Sequence, residues 1–162
     1  MADLTNLESK LGEVMGLAMA AQAATEKVKG LASDEPELVA GLERMHEEAV
    51  ETESRCKSIV DTLEGKKTAI QEEAASTKRK GAEMMKIYLD ADSDALDGFE
   101  FLTMAEAGEV GHWHVLKQMN EGSGAIDELC QWAIPIQERH FEDVNQATEQ
   151  LARAEDPAAV AG

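Results

Sequence analysis

Between Asp94 and Met119 apolar residues recur at helical spacing, and the seam they mark runs Phe99, Leu102, Glu106, Glu109, Trp113, Leu116. Two carboxylates stand where a buried helix carries leucine. Burying an unpartnered carboxylate costs several kcal/mol or more, unless it is protonated, hydrogen-bonded, paired with a cation or bound to a metal ion. A fold that buries this seam must bring partners to those oxygens from other helices.

The rest of the chain has the composition to supply such helices. Its 162 residues suffice for one domain with a core, expected over residues 1–155, with residues 156–162 a flexible tail. Three prolines, one tyrosine and three phenylalanines, against abundant Ala, Glu, Leu, Met and Lys, point to an all-α fold. The formal charge of −18 argues against nucleic acid and anionic membrane surfaces as partners and favours cations. Most of the acidic residues are expected on solvated helix faces. Cys56 and Cys130 lie within expected helices without zinc-like spacing, so buried free thiols and a reducing compartment are the expectation. The acidic amphipathic opening lacks signal-peptide character, and no apolar run approaches the ~20 residues that span a bilayer. A cytoplasmic location follows as the expectation.

Five helical segments can be read. The first runs from Leu4 to Leu31. The second opens at Pro36, with Asp34 as its cap and Glu37 completing a capping box, and stops near Gly65. The third covers Lys66 to Leu89, the fourth Asp94 to Met119, and the fifth Ala125 to Ala154, where Pro135 predicts a kink. The aspartates between Asp90 and Asp97 serve capping better than calcium, because Ala95 occupies the position where a calcium loop needs glycine. A third helix of about 24 residues spans about 36 Å, one bundle length. It returns the chain to its starting end, so the second and fourth helices run parallel. The expected architecture is a four-helix bundle with a long helical crossover between its second and third core helices.

Residues three apart on a helix share a face, so Glu43-Arg-Met-His46 and Glu109-Val-Gly-His112 each aim a carboxylate and an imidazole at one point. Depth counted from the turns places Glu106 and Glu109 level with about Pro135 to Glu138, one turn or less from Gln137 and His140, and places Glu43 and His46 level with about Gln22 to Thr25. With the two helix pairs in register, all four core helices then contribute to one polar layer. His114, two residues from His112, faces elsewhere and belongs to the surface.

On these residues the chain resembles the ferritin-like superfamily, and is similar to rubrerythrins and small bacterial stress-associated ferritin-like proteins. The resemblance covers the whole architecture, with specific motifs around residues 34–53, 100–116 and 129–147. It implies a metal site of iron or manganese, up to two ions, in iron or oxidative-stress chemistry of the oxidase or peroxidase kind, with oxygen or peroxide as reactants. Its ligands would come from Glu43, His46, Glu106, Glu109, His112, Gln137, His140 and Gln22. It also implies a homo-oligomer, a dimer fitting an enzyme or stress factor. Gln22 and Gln137 stand where that pattern has glutamate. This departure supports an alternative, a metal-free helical scaffold or interaction protein whose polar layer sets helix register.

Overall fold

The structure is a computed structural model describing residues 2–161; Met1 and Gly162, the outer ends of the expected domain and tail, lie outside the described residues. Five helices and no strand occur among these residues: α1 (Asn6–Leu31), α2 (Pro36–Val60), α3 (Lys67–Tyr88), α4 (Ala95–Met119) and α5 (Ala125–Ala154). No helix among them is long and apolar enough to cross a membrane.

Capping explains several of these boundaries. Thr5 Oγ1 accepts from the Glu8 amide at 3.1 Å, and the Glu8 carboxylate accepts from the Thr5 amide at 2.7 Å, closing a capping box at α1. Asp94 and Asp97 do the same for α4, at 3.0 and 2.9 Å, so the aspartate tract serves the helix end. At α2 the expected box is absent. Glu35 occupies the cap position without a side-chain bond, which leaves Asp34 outside the helix end. Pro36, lacking an amide hydrogen, starts the first turn regardless. α2 stops at Val60, earlier than expected, and Gly65 takes a φ of 75° in the turn that follows. α5 continues through Pro135, whose ring faces the exposed side.

α1 packs on α2, α2 on α5, α5 on α4 and α4 on α1, while α3 lies mainly along α1 and touches α4. Two apolar clusters fill the interior. One joins Leu11 and Val14 of α1, Cys56 and Val60 of α2, Ile70 of α3, Trp113 of α4 and Leu129 of α5. The other joins Val28, Leu42, Leu89, Phe99, Leu102 and Val144. The start of α1 thus meets the ends of α2 and α4, so those two helices run parallel, as their connection through α3 requires.

Sequence alone left α3 as a connector, yet it is an intimate partner of α1. The reason is glycine. A Cβ at Gly16 would lie 2.4 Å from the Ala74 carbonyl oxygen, and one at Gly12 would lie 2.9 Å from that of Ile70. Only hydrogen at these two positions, four residues apart on one face, lets the backbones approach so closely.

Candidate functional site

Between the two apolar clusters every core helix changes character. α1 has Gln22 and Thr25 there, α2 has Glu48, Thr52 and Glu53, α4 has Glu106 and Glu109, and α5 has Gln137 and His140. Thr25, Thr52, Glu106, Glu109, Gln137 and His140 are all buried. The single polar layer expected from depth counting exists, with a partly different membership.

Its centre is the imidazole of His140, only 3 % exposed. Nε2 lies 3.5 Å from Glu48 Oε1 on α2, and Nδ1 lies 3.9 Å from Glu106 Oε2 on α4. One ring therefore stands between carboxylates of two helices. Its burial lowers the His140 pKa, with Glu48 pulling the other way. The second carboxylate oxygen of Glu48 accepts from the Arg139 guanidinium at the layer's edge.

Glu106 and Glu109 occupy successive turns of α4 and are 2 % and 5 % exposed. Burial, and then the neighbouring Glu109 charge, hold the Glu106 carboxyl well above the usual range. Burial also pushes Glu109 up to about 7, against an opposing effect from the Trp113 indole one turn on. Both acids favour the neutral form, and so does His140. Even so, Glu48 Oε1, Glu106 Oε2, His140 Nε2, Gln137 Oε1 and Trp113 Nε1 are buried without a hydrogen-bond partner among the described residues. Buried polar atoms in folded proteins rarely go unsatisfied.

Of the residues singled out from sequence, Glu106, Glu109, Gln137 and His140 come together in the buried part of this layer, Gln22 stands half-buried on its α1 side, and Glu43, His46 and His112 do not join them. Glu43 is a surface residue, with its side chain 57 % exposed and 3.9 Å from Lys29. It lies about 140° around α2 from the buried face, at roughly 100° per residue. His46 Nδ1 turns toward α1, 3.1 Å from the Gln22 carbonyl oxygen and 3.3 Å from Thr25 Oγ1. Gln22 Nε2 donates to Glu53 Oε2 at 2.6 Å. His112 also turns to α1, where Nδ1 lies 3.1 Å from Lys10 Nζ and 3.2 Å from Glu13 Oε2. His114 is on the surface, 3.1 Å from Glu138.

Glu48 is the residue that sequence reasoning passed over. Its signal was available: Met45, Glu48 and Thr52 follow at spacings of three and four. The neighbouring Glu-x-x-His motif drew attention to Glu43 and His46 instead. His46 and Glu48 flank the buried face of α2 on opposite sides, one toward α1 and the other toward α5.

The thiols behave as expected. Cys56 and Cys130 are buried and free, and burial raises both pKas, that of Cys130 to about 11. Neither is a thiolate near neutral pH. Carboxylate and imidazole donors from three helices suit iron or manganese. Among the described residues, however, no three His, Cys, Asp or Glu side chains form a ready-made metal cluster. The donors stand as neighbouring pairs along the layer. No protein-family model, no curated protein and no solved structure matches this chain.

Proposed function

We propose that this is a ferritin-like metal-binding protein whose buried layer takes up iron or manganese through Glu48, Glu106, Glu109, Gln137 and His140. The observation that carries the reading is the set of unpartnered donor atoms on Glu48, Glu106, Gln137 and His140, contributed by three helices. The cyclic packing of α1, α2, α5 and α4 around the layer supports the ferritin-like part, with α3 as an added helix on α1. Glu48 replaces the Glu43 and His46 pair as the α2 contribution, because both of those side chains are directed elsewhere. Oxidase or peroxidase chemistry is what such a centre supplies when iron is bound and a coordination position stays open.

The absence of three converging donors among the described residues favours a second reading, in which protonated glutamates and neutral His140 form a metal-free layer that sets helix register. One experiment separates the two. Protein purified without a metal-binding tag is loaded anaerobically with iron(II) or manganese(II), dialysed, and assayed for metal per chain alongside Glu106→Gln and Glu48→Gln. The metal reading expects retained metal in the wild type and its loss in both variants. Negligible wild-type metal would leave the register-setting layer as the function of these residues.

A further inference from the structure

Beside the polar layer, α1, α3 and α4 line a partly open cavity of about 250 Å3. Its walls are apolar, with Ala21 and Ala24 from α1, Ala82 and Met85 from α3, and Phe101 and Ala105 from α4. The space exists because glycine draws α3 onto α1 while the residues beyond are mostly alanine. Lys78 and Met84, both exposed, stand on its α3 side, and Met104 and His112 on its α4 side. An apolar core cavity of about 150 Å3 accepts benzene, so this one has room for about ten heavy atoms.

Two of the lining residues do not match the walls. Glu106 and Glu109, both almost wholly buried acids, border the cavity as well as the layer. A purely hydrocarbon occupant would set apolar groups against these two carboxyls and offer them no hydrogen bond. A carboxylate head would set a third acid against them in a protein of charge −18. A head group made of hydrogen-bond donors satisfies both side chains, and an amine carries more donors than an alcohol.

We propose that this cavity is a binding site for a small aliphatic amine, its hydrocarbon chain held between α1, α3 and α4 and its N–H groups donated to Glu106 and Glu109. The proposal goes beyond metal binding and does not depend on it. An amine needs the two carboxyls of one helix, whereas an ion needs donors from three.

Chelator-treated full-length protein carrying 13C-methyl methionine, titrated with octylamine, octanol and octanoate, tests the site directly. Methyl resonances of Met84, Met85 and Met104 report on the cavity, and that of Met45, which lines a separate pocket, is the control. Octylamine is expected to shift the three cavity methyls with at least about tenfold tighter binding than octanol, and octanoate to leave them unmoved. Glu109→Gln is expected to erase most of the preference for amine over alcohol, and Ala82→Phe to abolish binding of both. If Ala82→Phe does not fold, Glu109→Gln decides alone. Absence of binding, equal affinity for amine and alcohol, or an unchanged preference in Glu109→Gln would overturn the proposal. Metal retention is measured separately, so either hypothesis can fail without the other.

Discussion

At the scale of single residues, the buried acids and His140 pull stability in opposite directions with pH. Glu109 has a folded pKa of about 7 against a usual 4.5, so the native state holds a proton that the unfolded chain gives up. Stability from this group is present below pH 4.5 and is lost as pH rises through about 7. Glu106 adds to the same trend. His140 works the other way: its pKa lies below 6.5 in the fold, so stability falls as pH drops below 6.5 and the unfolded state gains protons. In metal-free protein, Glu109→Gln is therefore expected to stabilise by on the order of 2 to 3 kcal/mol at pH 8, with much less effect at pH 5. Urea unfolding midpoints of wild type and variant at the two pH values check this. An equal effect at both would show that Glu109 is already ionised at pH 5.

At the scale of helices, glycine has two separate roles. Gly16 permits contact, because any Cβ there meets the α3 backbone. Gly16→Ala is expected to destabilise by about 1 to 3 kcal/mol despite alanine's better helix propensity. Gly111, exposed within α4 and with nothing near its Cβ position, is expected to show the reverse. Gly111→Ala should stabilise by about 0.5 to 1 kcal/mol. Chemical denaturation of the two variants measures both, and a shared sign would contradict the packing account. The caps allow a similar comparison. Asp94→Ala removes a bonded cap from α4 and should cost about 1 kcal/mol, whereas Asp34→Ala, outside the cap of α2, should leave the unfolding midpoint nearly unchanged. Capping of α4 was legible because an aspartate tract precedes an apolar run, and the structure picked Asp94 and Asp97 out of it as a reciprocal box. The α2 prediction failed because sequence offered three adjacent acidic or hydroxyl candidates, and backbone geometry, through Glu35 and Pro36, selected among them.

At the scale of the whole molecule, two apolar clusters stack end to end with a polar layer between them, and metal uptake would join the helices across that layer. Under the metal reading, free metal at about 100 times its dissociation constant should add about 2.7 kcal/mol. For a chain of this size that corresponds to a rise in Tm of roughly 5 to 10 °C. Binding must displace protons from Glu106 and Glu109, so affinity should strengthen as pH rises through about 7. Thermal scans with and without metal at pH 6 and pH 8 test both statements, and a Tm indifferent to metal at either pH would count against the centre.

Sequence by itself determined the all-α class, five helical segments close to their observed positions, and the α4 seam residue for residue, because helical periodicity is a local property of the chain. It also determined that Glu106 and Glu109 would be buried, since Phe99, Leu102, Trp113 and Leu116 leave that helix no other face to hide. Tertiary structure alone decided which polar residues from other helices meet them. A side chain on the flank of a buried face can turn to either neighbour, and a rotation of one residue, roughly 100°, exchanges one flank for the other. That choice sent His46 and His112 toward α1, left Glu43 in solvent, and brought Glu48 against His140. It also laid α3 onto α1 through Gly12 and Gly16, opening the cavity beside the two acids, because the closeness of two helices depends on what each presents to the other.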